Sequence, residues 1–160
     1  NEARGLKKDI NELLGIGTLE KVRVLNRYDA EGLNDKNVNL TAFMDGLPEI
    51  EIDADSRLND GDLIHLGNLE FKAIHTPGHT KGGCSLYLES EKLLFSGDTL
   101  FCGAWGRTDL PTSDFDEIMD SITNKLMNLP EDTIVYPGHG KPTVIGNERP
   151  IYWELKPAKI

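Results

Sequence analysis

An α+β layered fold is the expectation from this 160-residue sequence, on three observations. Apolar residues recur at helical spacing near the start and again near residue 118, whereas the stretch between them changes to a period of two. Short apolar runs in that stretch are separated by turn residues, which suggests sequential strands in an antiparallel or mixed sheet. Three of the runs stop at glycine beside a histidine or an aspartate. Helices around a strand-rich middle make an α+β arrangement, and this length is most simply one domain.

Residues 3–14 predict an amphipathic helix, with Leu6, Ile10, Leu13 and Leu14 on one face and Lys7, Lys8, Asp9 and Glu12 outside. Gly15 and Gly17 stop it. Lys21-Val22-Arg23-Val24-Leu25 alternates as a short strand, and residues 28–33 read as a helical turn. Residues 34–46 are open between a loop and a short helix presenting Leu40, Phe43 and Met44. From Ile50 the period is two, with Ile50 and Ile52 alternating with Glu51 and Asp53. Asn59-Asp60-Gly61-Asp62 is a turn signal.

Residues 63–66 and 69–74 flank Gly67-Asn68 and predict a β-hairpin. Residues 84–88 and 92–95 predict a second strand pair, joined through Glu89-Ser90-Glu91. Ser113 reads as the cap of a second helix, whose apolar stripe is Phe115, Ile118, Met119, Ile122 and Leu126. Leu129-Pro130 ends that helix, and residues 133–136 form a last strand. The tail, residues 147–160, reads as a short helix containing Trp153 and broken by Pro157.

A net charge of -10 and a pI near 4.8 argue against a nucleic-acid partner, as does the lack of a basic stripe with interleaved aromatics. No apolar run approaches the ~18 residues of a membrane span, and no signal-peptide pattern occurs. Two cysteines, Cys84 and Cys102, make no disulfide framework and read as reduced thiols of a cytoplasmic protein.

The chemistry concentrates at three strand ends. His75-Thr76-Pro77-Gly78-His79-Thr80 follows one apolar run, Gly97-Asp98 follows another, and Pro137-Gly138-His139-Gly140 follows the third. Glycine permits a sharp reversal in all three, and proline presets φ in the two histidine loops, so each can swing a donor into a cleft. His79, Asp98 and His139 are therefore the candidate metal ligands; two imidazoles and a carboxylate suit zinc, iron or manganese. The chemistry that needs such a set is metal-assisted hydrolysis, with the pKa of bound water lowered toward ~7. No G-x-S-x-G motif or Gly-rich phosphate loop occurs, so no catalytic side chain is expected beyond the ligands and their water.

The remaining candidates are weaker. His65 reads as a satisfied polar residue of the hairpin, and His75 as a structural residue or a support for a ligand. Arg107 is open between a local ion pair with Asp109 and contact with an anionic part of a substrate. Lys141 could serve similarly, and Trp105 is open between a cleft wall and loop packing.

The segment from about Leu58 to Gly146 resembles the C-terminal half of a metallo-β-lactamase-fold hydrolase, and is similar to the short relatives of glyoxalase II, the hydroxyacylglutathione hydrolases. The resemblance rests on His-Thr-Pro-Gly-His-Thr at 75–80, Phe-Ser-Gly-Asp-Thr-Leu-Phe at 95–101, Gly-Arg-Thr-Asp at 106–109 and Tyr-Pro-Gly-His-Gly at 136–140. It implies an αββα sandwich with metals at one edge. His79 would bind the first metal, His139 the second, and Asp98 would bridge them. The implied cofactor is zinc, two per complete site, with iron or manganese as alternatives. The implied reaction is attack of metal-bound hydroxide on a thioester or related ester. Lys141 stands where glutathione-specific members carry an aromatic, which leaves the acyl carrier open.

The family's His-x-His-x-Asp-His motif would precede a helix like residues 3–14, and the sequence does not contain it. The expectation is thus a partial sandwich lacking its N-terminal sheet and inactive as an isolated chain. A homodimer or a partner segment would cover the exposed sheet. The other function class is a non-catalytic truncated homologue acting as a binding or assembly module.

Overall fold

The computed structural model describes residues 58–153. In chain order these form β1 (Leu63–Leu66), β2 (Leu69–His75), β3 (Cys84–Leu88), β4 (Leu93–Gly97), β5 (Leu100–Phe101) and β6 (Ala104–Trp105). Then come α1 (Phe115–Asp120), β7 (Ile134–Pro137), β8 (Thr143–Val144) and α2 (Ile145–Trp153). Six strands make one mixed sheet in the order β1-β2-β3-β4-β7-β8, and β5 pairs with β6 as a separate hairpin.

The hairpin predicted around Gly67-Asn68 forms with Leu66 opposite Leu69. Gly67 takes φ 61 while Asn68 keeps a negative φ, the type II′ pattern whose twist matches the flanking strands. Between β3 and β4, Glu89–Glu91 make a single 3₁₀ turn that ends on Lys92 in the left-handed region. Lys92 is held there by its ammonium on Asp132 and by its carbonyl, which accepts from Ile134 N–H at 2.9 Å.

Strand direction positions the site. β2 is antiparallel to β3, and β3 is antiparallel to β4. β4 and β7 are parallel, with Phe95 opposite Tyr136 and Gly97 opposite Pro137. Hence β2, β4 and β7 all run the same way, and their C-terminal ends share one edge of the sheet. The crossover needed for the parallel pair contains the β5–β6 hairpin and α1.

Alternation along the strands gives the sheet two apolar faces. On one, Ile74, Tyr87, Leu94 and Val135 pack with Ile118, Ile122, Leu126, Met127, Ile145 and Tyr152 from the helical segments. On the other, Phe71, Leu88 and Leu93 cluster with Ile64, Leu69, Leu86, Phe95, Ile134 and Tyr136. There the Phe95 and Tyr136 rings stack at 5.6 Å, and Phe71 meets Phe95 edge-on at 6.1 Å.

Several details differ from the sequence expectation. The short β5–β6 hairpin is not anticipated there, and residues 133–136 are not the last strand, because Val135 and Ile134 pair with Thr143 and Val144 of β8. The cap of α1 is Asp114, not Ser113. Asp114 is extended and its carboxylate accepts from Glu117 N–H at 2.9 Å, as a residue directly before the first helical position does. Ser113 Oγ instead accepts from Leu110 N–H at 2.7 Å and donates to Leu110 O at 2.8 Å, closing the preceding turn.

The helix is also irregular beyond Asp120, passing through a π turn (Ser121–Lys125) and a 3₁₀ turn (Leu126–Asn128). Its stripe residue Phe115 is half exposed, edge-on to Trp105 at 6.1 Å. The last helix begins two residues early, at Ile145, because Thr133 O and Glu131 O accept from Ile145 and Gly146 N–H at 2.9 Å each. The readings of residues 3–14, 21–25, 28–33, 34–46 and 50–53, and of the tail around Pro157, lie outside the described residues.

Candidate metal centre

The loop after β2 is a tight structure pressed onto α1. Thr76 N–H donates to Gly83 O at 2.8 Å and Gly78 N–H to Thr80 O at 3.1 Å. Gly78 has φ 129, and a Cβ there would lie 2.2 Å from Ile118 N, so only glycine fits. From the helical segments, Asp114 N–H donates to Gly78 O at 2.8 Å, Ser121 Oγ to Pro77 O at 2.7 Å and Lys125 Nζ to His75 O at 2.6 Å. Beneath the loop, the buried Thr76 hydroxyl lies 3.0 Å from both Ser85 Oγ and Thr99 Oγ1. This ties the His79 loop to the turn that carries Asp98.

That turn closes with Thr99 N–H on Ser96 O at 3.1 Å and uses the positive φ of Gly97. Gly138 N–H donates to Gly97 O at 2.8 Å, so the loop after β7 is tied to the same turn. Two glycines let backbone approach Asp98 closely. A Cβ at Gly138 would stand 2.3 Å from Asp98 Oδ1. A Cβ at Gly106 would stand 1.9 Å from Asp98 O and 3.2 Å from His79 Cγ.

The three candidate ligands meet at this edge. His139 Nδ1 lies 2.8 Å from Asp98 Oδ1, and His79 Nε2 lies 3.7 Å from Asp98 Oδ2. His79 Nδ1 is 2.9 Å from Arg107 O. A carbonyl only accepts, so Nδ1 carries the proton of a neutral His79 and Nε2 keeps the lone pair. A carboxylate likewise accepts from His139 Nδ1–H, which leaves Nε2 of that ring as its lone-pair nitrogen. The side chains of His79 and Asp98 are 18% and 13% exposed, whereas that of His139 is 65% exposed, so His139 forms the open side. Phe101 meets the His139 ring edge-on at 5.8 Å. Among the described residues, no three His, Cys, Asp or Glu side chains are grouped so as to hold one ion. Asp98 instead presents one oxygen to each imidazole.

The side chains of the other candidates make different contacts. His75 Nε2 lies 2.9 Å from Lys81 O, closing the base of the loop, and its N–H donates to Asp60 at 2.7 Å. His65 lies 3.8 Å from Glu70 across the exposed first hairpin. Arg107 grips Asp109 with two bonds of 2.6 Å, and this guanidinium holds the Asp109 carboxyl below its ordinary range. The Arg107 backbone, rather than its side chain, touches His79. Lys141 is exposed two residues beyond His139. Trp105 packs edge-on to Phe115 and Tyr152.

Sequence reasoning missed the residues that steady this edge from behind. Glu148 is buried and accepts from Gly103 N–H at 2.9 Å and Thr143 Oγ1 at 2.6 Å. Tyr152 donates its hydroxyl to Ala104 O at 2.8 Å, and burial, helped by the Glu148 charge, pushes its phenol well above the usual range. The signal was a glutamate at i+3 from Ile145 and i−4 from Tyr152, on the apolar face of one helix.

The mixed sheet, with two histidines and an aspartate at the C-terminal ends of its parallel strands, agrees with the metallo-β-lactamase class, and the chain belongs to the Metallo-beta-lactamase superfamily, whose model matches residues 11–139. It is 39% identical over 106 residues to hydroxyacylglutathione hydrolase GloC of Haemophilus influenzae, covering 65% of this chain and 50% of that protein. Among solved structures, it is similar to BLEG-1 B3 metallo-beta-lactamase, with a TM-score of 0.67, 41% identity, and coverage of 74% of this chain and 57% of that one. It is also similar to TTHA1623 in a di-iron-bound form, with a TM-score of 0.63, 30% identity, and coverage of 88% and 67%. The chain spans about half the length of most curated relatives it matches.

Proposed function

We propose that His79, Asp98 and His139 are ligands of a divalent metal centre that hydrolyses a thioester or a related ester. The observation that carries this reading is the placement of Asp98 between two imidazoles, one on each carboxylate oxygen. His79 commits Nδ1–H to Arg107 O and keeps Nε2 for a cation, the arrangement that orients metal-binding histidines. Two donors ~2.0–2.1 Å from one tetrahedral cation stand roughly 3.4 Å apart. His79 Nε2 and Asp98 Oδ2, 3.7 Å apart, are close to that separation. Asp98 would share a second cation with His139 only after that ring turns to bring Nε2, in place of Nδ1–H, toward Oδ1. The di-iron form of TTHA1623 supports two, and the mixed N/O donor set suits zinc, with iron or manganese as alternatives.

A cation held there supplies Lewis acidity and brings the pKa of a coordinated water toward ~7. The chain's own part is to fix the ligands through Arg107 O, Gly138 and the Thr76 hydroxyl cluster. The name of the Haemophilus relative supports an acyl thioester as the substrate class. Lys141, exposed and two residues after His139, is a cation suited to an anionic part of such a substrate; Arg107 can serve only by sharing or releasing Asp109. The four histidines of the sequence include no His-x-His pair, so we infer that these 160 residues alone turn over poorly.

The test uses the protein made from the full reading frame that encodes these residues. Its hydrolysis of S-lactoylglutathione and of a simple acyl thioester is measured with and without chelator and added zinc. Chelation should abolish turnover and zinc restore it. Asp98→Asn should lower kcat/KM by ~10²–10³-fold, the equivalent of several kcal/mol of lost charge stabilisation. Turnover that resists chelation, or an unimpaired Asp98→Asn enzyme, refutes the reading; no turnover on any ester favours a binding module.

A further inference from the structure

Glu148 is a charged side chain only 2% exposed, and the proposed hydrolysis makes no direct use of it. Burying a carboxylate is costly unless its oxygens are satisfied. Here one oxygen takes Gly103 N–H at 2.9 Å and the other takes Thr143 Oγ1 at 2.6 Å. Gly103, at φ 70, lies in the turn between β5 and β6. One turn further along α2, Tyr152 holds the neighbouring Ala104 O at 2.8 Å. The last helix therefore grips the tip of the β5–β6 hairpin at two consecutive residues.

Both strands of that hairpin lead into the candidate centre. On β5, Phe101 sets its ring edge-on to His139 at 5.8 Å. β6 runs directly into Gly106, which is seated on the Asp98 backbone, and into Arg107, whose carbonyl holds His79 Nδ1 at 2.9 Å. A shift of the hairpin thus moves the neighbours of both imidazoles together.

We propose that Glu148 is a positioning residue: by fixing the tip of the β5–β6 hairpin it sets the orientation of His79 and His139 for metal capture. This rests on the reading of those histidines as ligands. A leucine at 148 has comparable size and no acceptor. A glutamine keeps an acceptor for Gly103 N–H and offers a donor that Thr143 Oγ1 can accept. The hydrogen bonds, not the charge, are the positioning element, so Glu148→Gln should behave as wild type.

The experiment compares wild type, Glu148→Leu, Glu148→Gln and Tyr152→Phe as isotope-labelled 160-residue chains. Without metal, nuclear magnetic resonance reads hydrogen exchange at the Gly103 amide and the imidazole signals of His79 and His139. With zinc alone, competition against a chelating dye reads affinity. In Glu148→Leu, Gly103 exchange should rise and both imidazole sets should move. Zinc affinity should fall about tenfold, the low end of the ~10–100-fold typical of lost supporting partners. Tyr152→Phe should move the same signals less, and it carries the test if Glu148→Leu does not fold. Unmoved imidazole signals in folded Glu148→Leu, or in Tyr152→Phe where that variant stands in, overturn the proposal, as does Glu148→Gln damage equal to that of leucine. If wild type binds no zinc, the ligand reading fails separately, while the metal-free signals still judge the positioning role.

Discussion

Asp98 Oδ1 accepts a 2.8 Å hydrogen bond from His139 Nδ1, although 41 positions separate the two residues. The parallel register of β4 and β7 makes this contact possible. Gly97 lies opposite Pro137, so the next residue of one strand and the second of the other leave the sheet side by side. Gly138 N–H on Gly97 O at 2.8 Å then locks the two loops together.

Alanine at the two close-approach glycines should separate stability from ligand geometry. At Gly106 the new Cβ would meet the Asp98 backbone at 1.9 Å, which cannot give cheaply. Gly106→Ala should lose about 2–3 kcal/mol in urea unfolding, the cost of overpacking a tight contact. At Gly138 the first clash, at 2.3 Å, is with the Asp98 carboxylate itself. Gly138→Ala should unfold less easily than Gly106→Ala yet bind zinc worse than wild type. Equal zinc affinity in Gly138→Ala and wild type would contradict the geometry.

Thr76→Val tests the hydroxyl cluster under the loop. The substitution keeps shape but removes the common partner of Ser85 and Thr99. Leaving buried hydroxyls short of a partner costs about 1–3 kcal/mol, so a lower urea midpoint with an unchanged slope is expected. No change in midpoint would mean that the cluster carries little energy.

Much of this edge could be read from the sequence because the strands announce themselves. Leu63-Ile64-His65-Leu66 and its partner strand turn on Gly67-Asn68, and Leu93-Leu94-Phe95 and Ile134-Val135-Tyr136 each run into glycine before a ligand candidate. Pairing was not legible. Nothing local says that β4 lies beside β7 rather than beside β5, yet that parallel contact is what brings Asp98 to His139. The cap of α1 was misassigned by one residue because Ser113 and Asp114 both have capping side chains, and only the backbone decides between them. Glu148 was missed because a glutamate in an acidic sequence reads as solvated unless its helical face is known.

Arg107 separates backbone from side chain. Its carbonyl holds His79, while its guanidinium holds Asp109. Arg107→Ala should therefore leave zinc affinity nearly unchanged, well short of the ~10–100-fold loss seen when a ligand's own partner is removed. A large loss of affinity would show that the ion pair shapes the loop.

The Lys92–Asp132 pair sets a pH window. Its hydrogen bond to Lys92 lowers the Asp132 pKa from an ordinary 3.8, and the same bond raises the Lys92 pKa from 10.5. The Asp132 contribution is present above 3.8 and lost as pH falls through its lowered folded value. The Lys92 contribution is present below 10.5 and lost as pH rises through its raised folded value. The gap in thermal midpoint between wild type and Lys92→Met should be largest near neutral pH. It should shrink in strong acid and at high salt, because both side chains are well exposed. A gap that persists in strong acid would assign the effect to packing of the Lys92 stem.

Zinc titration of this chain, followed by the imidazole signals of its four histidines, tests the central claim most directly. The expected result is that His79 and His139 respond together, His65 and His75 do not, and Asp98→Asn abolishes the response. Zinc that moves His65 or His75 but neither of the other two, or a response that survives in Asp98→Asn, would contradict it.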